Sequence, residues 1–311
     1  MNRILVIRGG AIGDFILTLP AIRALRETYQ SAHLELIGYK HIAELAENDY
    51  ADAVRSIEYG PLSGFFARGG ELDEELSNYF GSFDLILTYL FDPDQIFEAN
   101  LRRAGAKQIL RGQAKIEDGL HATRQLATPL EEFGINIRDF TPRLSVDSAA
   151  KEFAKRFLSG LDRPITALHA GSGSLRKNWP LENWIELGNG LLEQDDARSL
   201  IVVSGEADEA ARTRLQREWQ MPNIRFATNL PLPQLAGVLS QCCFVGHDSG
   251  ISHLGAAVGA ACVLLFGPTD PAVWGPQGGN VQVVRAENGN LADLSADEVL
   301  RQLKFTIRKN A

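Results

Sequence analysis

Short apolar runs alternate with amphipathic stretches along most of the chain. The runs at residues 4–7, 33–37 and 83–90 have the length of buried strands. The intervening stretches, of which residues 121–133 are the clearest, repeat apolar positions at helical spacing. Strands that alternate with helices in this way predict an α/β protein with doubly wound parallel sheets.

The same alternation starts again near residue 148 and predicts a second sheet. Its strands are expected at residues 165–170, 199–204, 224–227, 261–266 and 281–285. We therefore expect a Rossmann-like domain at 1–147, a second one at 148–294, and a terminal helix at 295–311. Within the first domain, Pro20 interrupts a helical pattern at residues 15–29, so that helix is expected to begin near Leu19.

Composition sets limits on the function. A net charge of -8 over 311 residues argues against a nucleic-acid partner, and a hydrophobic share of 45% is ample for two cores. The chain shows no apolar run of membrane-spanning length and no signal-peptide layout, so a cytoplasmic protein is expected. Its three cysteines have no disulfide or metal spacing, and we expect reduced core thiols.

The loop after the first strand combines glycines with a carboxylate. Gly13 and Asp14 close the sequence GGAIGD, whose spacing is not that of a dinucleotide-binding fingerprint. A nicotinamide-dependent enzyme is therefore disfavoured. Asp14 stands at the start of the next helix, where it either caps that helix or serves a function.

Two loops of the second half carry groups suited to a nucleotide. Ser172, Gly173, Ser174 and Lys177 offer hydroxyls, backbone N–H groups and an ammonium to a phosphate, although an exposed basic turn is the simpler interpretation. Glu206 follows a strand, where a carboxylate either accepts from ribose hydroxyls or is merely a solvated helix start.

The stretch at residues 244–276 reads as strand, turn, helix, strand and loop. Asp248 and Ser249 offer caps for a small-residue helix that begins at Gly250, and the start of such a helix attracts anions. His253 lies four residues after Ser249 and faces the same side, either as a functional group or as a buried structural histidine.

Asp92-Pro93-Asp94 is a candidate site for a divalent metal, because it has the D-x-D form used by metal-dependent glycosyltransferases. Pro93 lies between a strand end and a helix start, so a turn with Asp94 as the helix cap is the favoured interpretation. No metal and no cofactor is predicted.

Four motifs together resemble a known family. They are RGGAIGDFILTLPAIRAL, HAGSGSLRKNWPLENW, SGEADE and GHDSGISHLGAAVGAACVLLFGPTDPAVWGP, spread over both halves of the chain. In this order they resemble the heptosyltransferases of glycosyltransferase family nine. The resemblance implies a GT-B fold, in which two Rossmann-like domains face each other across a cleft and the terminal helix packs back on the first domain.

The resemblance also implies a reaction and its partners. These are inverting, metal-independent transfer of a heptose from ADP-heptose to a hydroxyl of a lipid-linked acceptor of the lipopolysaccharide inner core. Another nucleotide sugar, another acceptor or a non-catalytic nucleotide-sugar binding protein are the alternatives. Contact with the inner membrane through Phe65 and Phe66, on a glycine-rich loop, is a further expectation.

Individual positions take roles from the resemblance. Asp14 falls on the catalytic base and Lys177 on a cation that steadies the donor phosphates. Glu206 falls on a ribose contact. One position in the loop before Lys177 is expected to hold phosphate. Because this loop is one residue longer than the family pattern, that position is Ser172, Gly173 or Ser174. The donor sugar and diphosphate site comprises Asp248, Ser249, Gly250 and His253; Thr269 and Asp270 are expected to wall it, and His121 is expected to be structural.

Overall fold

The computed structural model describes residues 1–47, 49–193 and 198–310. The chain divides into two compact units, Met1–Phe140 and Thr141–Ala311. The boundary expected from the sequence falls a few residues later, after residue 147. Each unit contains one parallel sheet, so the predicted pair of α/β domains with parallel sheets is confirmed.

The N-terminal unit has a five-stranded sheet in the order β3-β2-β1-β4-β5. Its strands are β1 (Arg3–Arg8), β2 (His33–Gly38), β3 (Ala53–Ser56), β4 (Leu85–Thr88) and β5 (Ile109–Arg111). Its helices are α1 (Ile12–Thr28), α2 (Lys40–Ala43), α3 (Glu74–Gly81), α4 (Ile96–Arg103) and α5 (Ala122–Glu132). Two 3-10 helices lie at Glu44–Ala46 and Gly60–Phe66.

The C-terminal unit has a six-stranded sheet in the order β11-β10-β9-β6-β7-β8. Its strands are β6 (Ile165–His169), β7 (Ser199–Ser204), β8 (Ile224–Thr228), β9 (Cys243–His247), β10 (Ala261–Phe266) and β11 (Val281–Arg285). Its α-helices are α6 (Ser148–Phe157), α7 (Leu181–Leu192), α8 (Glu209–Glu218), α9 (Leu232–Leu239), α10 (Gly250–Ala257), α11 (Pro271–Trp274) and α12 (Ala296–Asn310). Three 3-10 helices lie at Leu175–Lys177, Glu206–Asp208 and Leu291–Asp293.

Helix α1 runs through Pro20, and the expectation that it begins near Leu19 is wrong. It begins at Ile12, where the Ala11 N–H donates to Asp14 Oδ2 at 3.0 Å. An internal proline removes one backbone hydrogen bond and costs about 3 kcal/mol. Every residue from Phe15 to Ile22 is nevertheless buried, so tertiary packing of this segment outweighs the local cost.

The glycine-rich segment near residue 65 is folded onto the core. Phe65 is fully buried, with its ring 4.8 Å from that of Phe80, and the Asn100 side-chain amide donates to the carbonyls of Phe65 and Ala67. The suggested membrane contact through Phe65 is therefore wrong. Phe66 is 47% exposed and stacks on Phe97.

The three cysteines are free thiols in the C-terminal unit, as the sequence predicted. Cys242 and Cys262 are buried, and Cys243 is half-buried. Burial, reinforced by the neighbouring Cys243, raises the pKa of the Cys242 thiol to about 12. Such thiols are inert packing groups.

The terminal helix α12 packs on α7 and β10 within the C-terminal unit. Its return to the N-terminal domain stays a prediction. Among the described residues, no helix has both the length and the apolar character needed to cross a membrane.

Candidate functional site

The carboxyl edge of the C-terminal sheet gathers the predicted donor-binding loops. Strands β10, β9, β6 and β7 are neighbours in this sheet, and all of them run parallel. The loops that follow them therefore emerge side by side. The chain winds outward from β6 to β8 and then returns to β9, so the switch point lies between β6 and β9, where open α/β sheets bind ligands.

Three of the predicted residues meet at this edge. Lys177 Nζ donates to Asp248 Oδ2 at 2.6 Å, and the Thr269 hydroxyl donates to the same oxygen at 2.8 Å. The Asp248 side chain is only 8% exposed, whereas that of Lys177 is 31% exposed. A buried carboxylate thus holds an ammonium at the surface of the switch point, where it is accessible to an anion.

Helix α10 begins beside this cluster. Ser249 is its N-cap, and the Ser249 hydroxyl accepts from the Ser252 N–H at 3.4 Å. Gly250 is the first helical residue, so its N–H is among the free donors of the first turn. His253 is buried in the same helix at 4% exposure. The start of α10 therefore presents N–H groups and a positive dipole end at the sheet edge.

The loop after β6 is shaped by its own side chains. The Ser172 hydroxyl lies 2.8 Å from the Ser174 carbonyl oxygen and 2.6 Å from Asn178 Oδ1, and it accepts from the Ser174 N–H at 3.3 Å. Gly173 faces open space, since a Cβ there would meet no atom within 4 Å. That one of Ser172, Gly173 and Ser174 holds phosphate stays a prediction.

Two predicted carboxylates lie in the loops after β7 and β10. Glu206 is exposed at the start of the 3-10 helix after β7. Asp270 caps the short helix α11 by accepting from the Ala272 N–H at 3.1 Å, and it pairs with Arg285 at 3.3 Å. Thr269 thus contacts Asp248 beside Lys177, whereas Asp270, the next residue, contacts the start of α11 and Arg285.

Sequence reasoning missed two histidines and an aspartate beneath these loops. His169 ends β6 and bridges two loops: its Nε2 lies 3.3 Å from Asp208 Oδ2, and its Nδ1 lies 3.4 Å from the Ser249 hydroxyl. Burial opposes ionisation of Asp208, but hydrogen bonds from His169 and the Gly205 N–H outweigh it and lower the Asp208 pKa. Their signal was weak because each is a single polar residue at a strand end or in a turn.

His247 ends β9 and is fully buried. Burial, with His169 nearby, lowers the pKa of His247 to about 3, so its imidazole is neutral near pH 7. Its ring lies edge-on to Trp184, with 5.1 Å between the ring centroids.

Asp14 lies at the corresponding edge of the N-terminal sheet. Arg8, missed from the sequence, donates to the Asp14 carbonyl at 3.2 Å, and its guanidinium lies 3.6 Å from Asp14 Oδ1. Burial lowers the pKa of Arg8, and the Asp14 charge partly offsets this. Gly10 has a φ of +99°, and a Cβ there would lie 2.9 Å from Asp14 Oδ2. Gly13 is part of α1, one residue before Asp14.

The D-x-D segment serves as a helix cap, but not in the way expected. Asp92 accepts from the N–H groups of Phe97 and Glu98, at 3.2 and 3.0 Å, while the N-cap position of α4 is Gln95. The expected cap by Asp94 is wrong because Gln95 adopts a left-handed conformation that places Asp92 over the helix start. In α5, His121 is the N-cap and its Nδ1 accepts from the Thr123 N–H.

Two Rossmann-like units, each with a switch-point loop that carries polar groups, define the GT-B class of proteins, in agreement with solved structures of similar fold. Residues 97–304 match the family described as "Glycosyltransferase family 9 (heptosyltransferase)". The chain belongs to glycosyltransferase family 9, as the sequence motifs predicted.

Individual proteins show how far this similarity extends. The chain is 30% identical over 192 residues to lipopolysaccharide heptosyltransferase 1 of Escherichia coli K12, a match that covers 61% of the chain and 57% of that relative's length. A glycosyl transferase family 9 structure from Veillonella parvula aligns with a TM-score of 0.83 at 18% identity, over 99% of the chain and 97% of that protein. The E. coli ADP-heptose lps heptosyltransferase II structure aligns over 100% of both chains with a TM-score of 0.79 at 18% identity. These structural matches support the fold.

Proposed function

We propose that this protein transfers a heptose from ADP-heptose to a hydroxyl of a lipopolysaccharide inner-core acceptor, with inversion at the sugar carbon and without a metal. The observation that carries the proposal is the cluster of Lys177, Asp248 and Thr269 beside the start of α10, in a chain of this family. The names of relatives supply the sugar and the nucleotide: one is a lipopolysaccharide heptosyltransferase and another acts with ADP-heptose.

The donor half of the reaction needs positive charge at the leaving diphosphate. As the glycosidic bond breaks, ADP gains negative charge, and preorganised donors stabilise it where it develops. Lys177 and the N–H groups at the start of α10 supply such donors. Asp248 bonds to Lys177 Nζ and limits its motion, so we assign Asp248 the role of holding this ammonium in place rather than of meeting phosphate.

The acceptor half needs a base, and we assign that role to Asp14. An acceptor hydroxyl is a poor nucleophile, and a carboxylate that takes its proton in the transition state contributes about 10²- to 10⁴-fold in rate. Arg8 donates to the backbone carbonyl of Asp14 and pairs with its Oδ1, and these two contacts orient the carboxylate. Single displacement by the activated hydroxyl inverts the sugar carbon.

Substitution of Asp14 tests this assignment. We expect Asp14→Asn to lower transfer at least about 10²-fold while the dissociation constant of ADP stays within about twofold of the wild type. The amide retains an oxygen that accepts from the Ala11 N–H, so the helix cap is kept. Radiolabelled or mass-spectrometric transfer assays and calorimetric ADP titrations measure the two quantities.

A matched control separates the base from a structural carboxylate. Asp84 also accepts backbone N–H groups, from Asn2 and Arg3, but it precedes β4 and therefore lies at the opposite edge of the sheet. Asp84→Asn should leave transfer within about twofold of the wild type. Unchanged turnover in Asp14→Asn would disprove the proposed base, and ADP binding without transfer by the wild type to any acceptor would favour a non-catalytic binding protein.

A lipid-linked acceptor implies work at a membrane surface. We infer peripheral contact with the cytoplasmic face of the inner membrane, and the exposed ring of Phe66 is the side chain best suited to it. Co-sedimentation with anionic phospholipid vesicles, reduced in Phe66→Ser, is the expected result. Equal co-sedimentation of both proteins would exclude Phe66 from the contact.

A further inference from the structure

His247 closes the loop that carries Lys177. This loop, residues 171–179, leaves β6 and returns to α7. His247 Nδ1 lies 3.4 Å from the Gly171 carbonyl oxygen at the start of the loop, and its Nε2 accepts from the Trp179 N–H at 2.8 Å at the end of the loop. One fully buried ring therefore contacts both ends of the loop.

We propose that His247 is a positioning residue for Lys177, and that it acts by fixing the two ends of the 171–179 loop over the switch point. This inference rests on the proposed function, because it assigns to Lys177 the binding of the donor diphosphate. It adds a residue that does not touch the donor itself.

The hydrogen-bonding capacity of a neutral imidazole fits this loop. A neutral histidine offers one N–H donor and one acceptor nitrogen. The loop presents a carbonyl oxygen at Gly171 and an N–H at Trp179, which require one donor and one acceptor. The partners therefore assign the proton to Nδ1. An imidazolium would turn a second N–H toward Trp179, so the lowered pKa of His247 agrees with the geometry.

The end of β9 holds the loop at two adjacent residues. His247 binds the backbone of Trp179, and Asp248, the next residue, binds Lys177 Nζ at 2.6 Å. Trp179 is itself fixed, since its indole is buried and its Nε1–H donates to the Leu294 carbonyl at 3.0 Å.

The middle of the loop contrasts with its ends. Leu175 is 89% exposed, and Gly173 faces open space. The position of the ammonium therefore depends on the contacts at His247 and Asp248, and loss of the contact between His247 and the Trp179 N–H would free the backbone two residues after Lys177 from the end of β9.

Two amide substitutions separate the two contacts of His247. An asparagine amide reaches the position of Nδ1, so His247→Asn keeps a donor for Gly171 and leaves the Trp179 N–H without its acceptor. A glutamine amide reaches the position of Nε2, so His247→Gln keeps an acceptor for Trp179. Calorimetric titration of the full chain with ADP at pH 7.5 should give a dissociation constant raised about tenfold in His247→Asn and by less than about threefold in His247→Gln.

Coupling to Lys177 distinguishes positioning from general stability. Lys177→Met should weaken ADP binding, and adding His247→Asn to it should change the dissociation constant by less than about twofold, because the residue through which His247 acts is already lost. A full tenfold effect of His247→Asn in the Lys177→Met background would overturn the inference, as would ADP binding by His247→Asn equal to the wild type.

Failure of this inference and failure of the proposed function give different results. If the wild type does not bind ADP, or Lys177→Met binds it as well as the wild type, the proposed donor site is wrong. If Lys177→Met binds ADP weakly and His247→Asn binds it normally, only the role of His247 is wrong.

A measurement on the unaltered protein covers the case in which His247→Asn does not fold. Nitrogen-15 NMR of the imidazole should show a protonated Nδ1 and an unprotonated Nε2 from pH 8 to pH 5. A protonated Nε2 in this range would overturn the assignment, because that nitrogen could not accept from Trp179.

Discussion

Buried polar residues at the carboxyl ends of β6 and β9 connect the loops of the candidate donor site. His169 joins Asp208 to Ser249, and His247 joins Gly171 to Trp179. A buried polar group without a partner costs about 1–3 kcal/mol, so each of these bonds restricts its loop to positions that preserve it. Gly171 shows how closely the loops approach, because a Cβ there would lie 1.7 Å from Asp208 Oδ1.

The lowered pKa of His247 predicts how stability changes with pH. The unfolded chain binds a proton on this histidine as pH falls through about 6.5, whereas the folded chain does so only near pH 3. Between these values the unfolded state binds more protons, so the free energy of unfolding falls as pH falls. From pH 7.5 to 5.5 we expect this residue to contribute a loss of about 1.4 kcal/mol.

Urea unfolding of the wild type and His247→Gln at both pH values measures this contribution, since other titrating groups cancel in the difference. The wild type should lose about 1.4 kcal/mol more than the variant over this interval. All four tryptophans, at 179, 184, 219 and 274, belong to the C-terminal unit, so fluorescence follows the unit that contains His247. Equal losses in the two proteins would contradict a depressed pKa.

Helices of the C-terminal unit pack closely at positions where glycine has no side chain to separate them. Helices α9 and α6 are in extensive contact, and a Cβ at Gly237 in α9 would lie 2.4 Å from the backbone carbonyl of Ala150 in α6. In α7, a Cβ at Gly190 would meet only the end of the flexible Leu300 side chain, at 3.3 Å. The two helical glycines thus differ in what a methyl group would displace.

We expect Gly237→Ala to lower the free energy of unfolding by about 1–3 kcal/mol, because backbone must move to admit the methyl group. Alanine improves helix propensity by about 1 kcal/mol at either position, so Gly190→Ala should be neutral or stabilising. Urea titration with tryptophan fluorescence compares them. A stable Gly237→Ala protein would show that α6 and α9 separate at little cost.

At the scale of the molecule, the predicted donor contacts are concentrated in one unit. Apart from Gly13, all predicted donor-binding residues lie in Thr141–Ala311, and the catalytic candidate Asp14 lies in Met1–Phe140. A nucleoside diphosphate should therefore stabilise the C-terminal unit directly.

Nucleotide binding should raise the unfolding temperature of the C-terminal unit. At 100 times its dissociation constant, a ligand adds about 2.7 kcal/mol, which corresponds to about 5–10 °C for a unit of this size. We expect this shift with ADP in the presence of excess EDTA, and a smaller one with UDP, GDP or adenosine at the same concentration. A larger shift with another nucleoside diphosphate would reassign the donor, and loss of the ADP shift in EDTA would implicate a metal.

The sequence by itself determined the elements and the family. Apolar runs of strand length are a local feature of the sequence, so β10 and β11 lie where the pattern placed them, with the same bounds. Each of the motifs around Asp14, Lys177 and Asp248 is a continuous stretch of sequence, so the sequence alone identified the family and the candidate loops.

Only the tertiary structure decided which of those residues meet and what supports them. The contacts of Asp248 with Lys177 and Thr269 depend on β6, β9 and β10 lying side by side, an order that no local pattern contains. The same holds for His247, whose partners lie about seventy residues away in the chain. Where local rules failed, at Pro20 and Phe65, burial against distant elements outweighed the local preference, because packing free energy is set by the whole unit.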